Sequence, residues 1–451
     1  MVAQAPGVFF REWLRRNPGE RRDIGRAADL LAVLGLPAPD TPVLAVVGSK
    51  GKGTCAAYAS ATLAAAGARV VTVTSPGVRG PRDRVRLGGR AVGESDLARL
   101  AHKLDEAAGR LPPPRSGYLS PSGLFLAAGA LYAREQGADL LVMEAGMGGR
   151  GDEVRLFDPA AVALTTVFGE HLGVLGDTVA QIAEEKAGAA GPGTRAFVHG
   201  PLEPGAEAAA HAALGARTGG RVLPERLEPG TAGVGDPVLP DGLGRPAAEL
   251  GCASARRLLA TLGREEPEPE RLRRVLASVR LPGRLSHHVL ARPADSAEAG
   301  AGPATAPCAG NSPGTRPASA GAVAAAAAAA APTELVVDSA IERAGAAAAL
   351  EHARRRWGGV DHVLVCLPDH KDVEGAVAAL AGERVTAAAL PDAHLSFSAA
   401  LPADWGRVRA EEVTPQLLAG LGRRVLVLGT VYFTGRVLDA IGADTDSLFT
   451  A

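Results

Sequence analysis

The residues most able to do chemistry begin with VLAVVGSKGKGT, positions 43–54. Five apolar residues read as a buried parallel strand. Gly48, Gly51 and Gly53 follow, with Lys52 and Thr54 among them, and an alanine-rich helical pattern continues over 56–66. A strand that breaks into glycines at a helix start leaves free backbone N–H groups and the positive end of the helix dipole facing one point. That is an anion site. Lys52 would reach the outer phosphates of a nucleotide, and the Thr54 hydroxyl would hold a magnesium ion. The loop is one residue shorter than the GxxxxGK[ST] form and has an extra glycine before the hydroxyl. A ligand-free glycine turn is therefore the plain alternative.

Three more residues follow, two at or just beyond other strand patterns and one on a helical pattern. Glu144 ends the apolar run DLLVME and precedes AGMGGRGD, whose glycines suit close backbone approach to a ligand. A carboxylate there suits magnesium. His171 follows LTTVFGE; a lone histidine is more often structural, but this one sits at a third strand end. Lys186 lies in AEEKAG on a helical pattern. The chain has five lysines (50, 52, 103, 186 and 371) against forty-three arginines. A retained lysine thus marks a place where arginine does not serve.

These positions need a scaffold of alternating strands and helices. Strand patterns run over 43–47, 70–74, 139–144, 161–167 and 194–199, with helical patterns at 123–136 and 179–188 between them. Such alternation implies a parallel sheet with helices on both faces and ligands beyond the carboxyl ends of the strands. Two helical patterns precede the first strand, around Phe9–Leu14 and over 24–36. Residues 203–250 are weakly patterned, with short strands at most; helices are expected over 253–262 and 270–279. LPGR at 281–284 reads as an interdomain joint, and a strand over 286–291 follows. The run 293–332 is low in complexity and reads as an insertion. A second α/β unit then has strands at 334–337, 362–367, 385–390 and 425–428 and helices at 345–357, 373–380 and 431–441.

At 451 residues, two or three domains are expected. A formal net charge of −1 gives no argument for a nucleic-acid or anionic-membrane partner. No apolar run is long enough to span a bilayer, and the N-terminus lacks a signal-peptide core, so a cytoplasmic protein is expected. Small-molecule partners and a monomeric state are expected with it. Cys55, Cys252, Cys308 and Cys366 are far apart and read as isolated apolar residues.

Taken in order, AVVGSKGKGT, VTSPGV with DRVRLGG, LVMEAGMGGRGD, LTTVFGEHLGVLGDT, AEEKAG, LPGRL, HKDVEG and VLGTVYFTG carry a family likeness. The chain resembles the folylpolyglutamate synthase/dihydrofolate synthase family of the Mur ligase superfamily. The resemblance implies an α/β protein with a P-loop ATPase-like parallel-sheet domain, residues 1–283, and a smaller Rossmann-like domain, residues 284–451. It implies an ATP-dependent ligase joining a carboxylate acceptor, by default a folate or dihydropteroate, to L-glutamate through an acyl phosphate. Gly48, Gly51, Lys52, Gly53 and Thr54 would hold the triphosphate, with Arg284 reaching the phosphates and Asp338 near the ribose. Thr54, Ser75, Glu144, His171 and Lys186 would serve two magnesium ions, Lys186 as a carbamate. Lys52, His171 and Lys186 would be the catalytic set.

Departures from the family pattern concentrate outside the phosphate positions. DSAIER at 338–343 stands where DGAHNP is expected, Ser254 where an asparagine near the adenine is expected, and Lys50 replaces an asparagine in the loop. Gly123 occupies an acidic position, DEVR replaces DATN at 152–155, and the arginine expected after the 385–390 strand is missing. A folate ligase, a ligase with another acceptor and a silent nucleotide-binding homologue are the readings this leaves open. Lys50, His370 and Glu342 are candidate replacements for the lost contacts.

Overall fold

The computed structural model describes residues 7–36, 41–234, 238–240, 242–290, 332–391 and 395–451. The chain divides into two units, Met1–Leu281 with Asp444–Ala451, and Pro282–Ala443. The low-complexity run 293–332, but for Pro332, lies outside the described residues, as does Cys308.

Unit 1 is built on eight strands: β1 (Val43–Val47), β2 (Val70–Val73), β3 (Val85–Leu87), β4 (Arg90–Ala91), β5 (Leu140–Glu144), β6 (Ala161–Leu164), β7 (Ala196–His199) and β8 (Pro224–Arg226). Their order is β4-β3-β2-β5-β1-β6-β7-β8. From β2 to β8 the pairing is parallel, while β3 and β4 add an antiparallel edge that the all-parallel expectation missed. β1 is central and buried throughout. Leu44 and Val46 face one core with Leu63, Leu258 and Leu259, whereas Val43, Ala45 and Val47 face another with Phe125 and Leu126. Period-two alternation of side chains makes this two-sided burial possible from one continuous apolar run. Each fully buried Val or Leu contributes about 1.5–3 kcal/mol.

The helix Lys52–Ala65 is nearly all small residues because another helix, Arg245–Thr261, lies directly on it. A β-carbon at Gly251 would sit 2.3 Å from the Cys55 carbonyl oxygen, so only glycine permits that approach.

The structure corrects the reading of several segments. Residues 203–250 contain the helix Pro204–Thr218, buried through Ala206, Ala210, Ala213 and Leu214. The spacing is helical, but an alanine face carries little apolar contrast. The helix expected over 253–262 starts at Arg245, with a proline in its first turn. Glu94–Gly109 is a further unforeseen helix, packed through Leu97, Leu100, Ala101 and Leu104. β6 stops at Leu164, three residues short of its expected end. The expected second domain, 284–451, loses Asp444–Ala451 to unit 1. There Arg86, 2% exposed, donates to the Thr445 and Asp446 carbonyls at 2.8 and 2.9 Å, and Leu448 N–H donates to Gly89 O.

Unit 2 carries β9 (Ser286–Leu290), β10 (Thr333–Asp338), β11 (His362–Val365), β12 (Val385–Ala389), β13 (Gly406–Arg409) and β14 (Arg424–Leu428). The order is β13-β12-β11-β14-β10-β9, parallel except for β9. Helices Arg343–Trp357 and Val373–Ala379 cover a core of Val336, Val363, Val365 and Leu426.

Candidate active site

Register brings the decisive residues of unit 1 to one edge. Val46 pairs with Glu144 across β1 and β5, and Val47 pairs with Leu164 across β1 and β6. Just beyond β1 the chain is pinned: Thr165 N–H donates to Val47 O at 2.9 Å, and Ser49 N–H donates to Thr166 O at 2.7 Å. Gly48 has φ 140°, and a β-carbon there would lie 1.8 Å from Thr165 Oγ1. Gly51, the N-cap of the following helix, has φ 83°. Both positions require glycine, and together they turn the strand into the helix N-terminus.

Two lysines converge on this turn. Lys52 Nζ donates to Gly48 O at 2.9 Å, and Lys186 Nζ donates to the same oxygen at 3.0 Å. Lys186 is 1% exposed and also pairs with Glu170 Oε1 at 2.8 Å. Burial lowers the proton affinity of Lys186, and Glu170 opposes that without reversing it. Burial also works to raise the Glu170 carboxyl, but its bond and attraction to Lys186 prevail and hold it below the usual carboxylate range. Glu170 is the site residue that sequence reasoning passed over; its only signal was adjacency to His171.

Glu144, 5% exposed, approaches the loop from β5 and accepts the Ser75 N–H at 2.9 Å. A β-carbon at Gly53 would touch its Oε2 at 3.6 Å. Thr54 is buried in the first turn of the Lys52–Ala65 helix. Ser75 and Glu144 are thus joined directly, next to the loop. His171 is exposed with φ 49°, and its carbonyl accepts from Val174 and Leu175 N–H. A groove of about 330 Å³ opens beside this turn, lined by Arg21, Arg150, Leu175, Asp177, Gln181 and Glu184 among others.

The glycines of GMGGRGD serve a different contact from the one expected. A β-carbon at Gly149 would lie 2.2 Å from Lys186 O, and Gly149 and Gly151 N–H both donate to Glu185 Oε1. Their close approach is to the helix that carries Lys186. Asp152 and Glu153 are buried beside Arg22, whose Nη1 donates to both at 2.8 and 2.9 Å. Glu153 packs where a β-carbon on Gly123 would clash at 2.6 Å. Glu153 therefore fills the space that any side chain at position 123 would need.

Arg284 and Asp338 belong to unit 2. Asp338, at the end of β10, accepts Leu285 N–H at 3.1 Å, and Ser339 N–H and Oγ both donate to Gly283 O. These bonds set the turn that bears the exposed Arg284. Ser254 is fully buried, its hydroxyl without a hydrogen-bond partner, so it is not offered to a base. Glu342 caps the helix Arg343–Trp357 as its preceding residue, and Ile341 packs against the unit 2 core.

No family model matches the sequence. A dihydrofolate synthase/folylpolyglutamate synthase of Bacillus subtilis is 29% identical over 181 residues, 40% of this chain and 42% of the relative. A probable bifunctional folylpolyglutamate synthase/dihydropteroate synthase of Haloferax volcanii is 40% identical over 164 residues, 36% of this chain and 19% of that one. Among solved structures, Mycobacterium tuberculosis folylpolyglutamate synthase complexed with ADP and AMPPCP superposes with a TM-score of 0.68 at 20% identity, covering 94% of this chain and 96% of that one. Over the stretches aligned with the curated relatives, the chain is similar to folylpolyglutamate and dihydrofolate synthases. The aligned stretches span less than half of either curated relative. At this identity the likeness to the solved synthase is one of fold. Both sheets of the folylpolyglutamate synthase architecture are nonetheless present, with the glycine turn at the end of a central strand. Among the described residues, no helix is long and apolar enough to cross a membrane.

Proposed function

We propose that this chain is an ATP- and magnesium-dependent ligase that joins a carboxylate acceptor, by default a folate or dihydropteroate, to L-glutamate. The observation that carries the proposal is the convergence of Lys52 and Lys186 on the Gly48 carbonyl, with the Glu144 carboxylate set against Gly53. A helix N-terminus, two ammonium groups and a buried acid at one strand edge make a place for a metal-bound triphosphate. The relatives' names support folate and glutamate as the substrate pair. The solved synthase's ADP and AMPPCP support an adenine nucleotide.

Roles then follow from chemistry. Backbone N–H groups of the 48–54 turn would bind the phosphates, and Lys52 would leave Gly48 O for the terminal phosphoryl group. An acceptor carboxylate oxygen attacks the γ-phosphorus and ADP leaves. The glutamate amine then attacks the acyl carbon, losing a proton as inorganic phosphate departs. The protein's part is positioning and charge stabilisation rather than covalent help.

Thr54, Ser75 and Glu144 supply oxygen donors that fit magnesium, and His171 is proposed as a further ligand. Magnesium would neutralise charge on the transferred group. The lysine carbamate implied by the resemblance does not suit the arrangement around Lys186. Both of its partners, Glu170 Oε1 and Gly48 O, are acceptors and complement an ammonium. An anion there would face the Glu170 carboxylate, so no step is assigned to a carbamate and Lys186 acts as a cation. Arg284 and Asp338 are proposed for the phosphates and the ribose.

The test is ADP release by purified protein given ATP, magnesium, dihydropteroate or tetrahydrofolate, and glutamate. Release that needs both acceptor and glutamate supports the proposal. No release with any folate acceptor, from protein that binds ATP, overturns the folate assignment.

A further inference from the structure

A second cluster lies at the same sheet edge, two strands from β1 and apart from the phosphate turn. His199 is the last residue of β7, and Glu207 and His211 lie four apart on the helix Pro204–Thr218, hence on one face. One ligand atom from each falls within 4.8 Å of the others, and this is the one such group among the described residues. We propose that His199, Glu207 and His211 bind a borderline divalent cation of the zinc type.

Ring orientation is the strongest argument. His199 Nδ1 lies 2.8 Å from Gly200 O, an acceptor, so Nδ1 carries the proton and the lone pair is on Nε2. That Nε2 points at His211 Nε2, 3.0 Å away. A carbonyl fixing the far nitrogen is the usual support of a metal-bound histidine. Two nitrogens each about 2.0–2.1 Å from a tetrahedral zinc stand about 3.3 Å apart. The observed separation is close to this, so binding needs only a small opening of the pair. A hydrogen bond between the rings accounts for that distance alone, and the Glu207 carboxylate standing beside both nitrogens adds the third donor.

The surroundings of His199 leave room for a cation despite one competing charge. His199 is fully buried, and burial lowers its proton affinity against the opposing pull of the Gly200 bond. Arg226 is the competing charge, its Nη1 3.2 Å from Glu207 Oε2. A carboxylate can serve a guanidinium with one oxygen and a metal with the other. Two imidazoles and one carboxylate suit zinc or cobalt(II) far better than magnesium, and three protein ligands leave a fourth position for water.

The experiment is a cobalt(II) titration of the chelator-stripped full chain, read by visible absorption. A Glu144→Gln background separates this site from the phosphate turn. One cobalt with tetrahedral-type absorption is expected in that background. His211→Ala, at a half-buried helical position, should weaken it at least about a hundredfold, the upper end of what losing a mere supporting bond costs. Glu207→Gln supplies the same reading should His211→Ala not fold. Absence of such a spectrum, or affinity unchanged in the folded variant, overturns the proposal.

Discussion

Lys186 Nζ and Glu170 Oε1 stand 2.8 Å apart, an ion pair in which the lysine is almost wholly buried and the glutamate keeps 20% exposure. The pair fixes the segment after β6 to the helix Val179–Ala187 and holds the lysine under the Gly48 carbonyl. Removing only the acid leaves a buried ammonium with one neutral acceptor. Glu170→Ala should therefore cost about 2–4 kcal/mol in urea unfolding, somewhat below a fully buried pair because Glu170 is partly solvated. Lys186→Met should cost less, and the double variant less than the sum of the two. Additive losses would show that the two residues are not coupled.

The same pair sets a pH dependence. Glu170 is depressed in the folded state, so its stabilisation is present above the unfolded carboxyl range, near pH 4.3, and is lost as pH falls through the lower folded value. The stability gap between wild type and Glu170→Gln should be full at neutral pH and close on acidification below about pH 4. A gap that stays constant down to acid pH contradicts the assignment.

Gly48 tests the turn itself. Gly48→Ala places a methyl 1.8 Å from Thr165 Oγ1 at a φ that L-residues avoid. The expected loss is about 2 kcal/mol or more in thermal unfolding, together with nucleotide affinity. Lys52 bonds the Gly48 and Ser49 carbonyls of the loop, so Lys52→Met should keep the fold and lower ATP affinity at least about tenfold by calorimetry.

Arg22 holds two buried carboxylates. Arg22→Met would leave Asp152 and Glu153 unpaired and should cost about 3–5 kcal/mol at neutral pH. Burial, reinforced by Asp152, already raises the Glu153 carboxyl. A raised acid favours the folded state as it takes up a proton, so the variant should regain stability on mild acidification. Urea midpoints at neutral and mildly acidic pH read this directly; a deficit that widens in acid contradicts it.

The last eight residues should be indispensable to unit 1. Truncation after Ala443 removes the Thr445 and Asp446 carbonyls from Arg86, which is buried and has few other acceptors. A loss of several kcal/mol, or insoluble protein, is expected. An unchanged melting temperature would contradict that role.

Much of this was legible in the sequence because strands buried on both faces read as apolar runs; β1 falls where VLAVV places it, and β5 and β14 begin within one residue of the runs expected at 139–144 and 425–428. The turn after β1 was legible through Gly48 and Gly51, whose φ values and close contacts leave no other residue. Alanine-faced helices were not legible, because Ala206, Ala210 and Ala213 bury a face without looking apolar. The Glu170–Lys186 pair was hidden by separation along the chain. The glycines of GMGGRGD were legible as a close approach, but not as one to the Lys186 helix. Gly123 looked like a loss until Glu153 was seen to fill its space.

The most direct measurement uses an acceptor folate whose reacting carboxylate carries heavy oxygen. With ATP, magnesium and glutamate, the label should appear in the released inorganic phosphate as the glutamate adduct forms. An adduct with unlabelled phosphate would contradict the acyl-phosphate route, and ATP hydrolysis with no adduct would contradict the ligase itself.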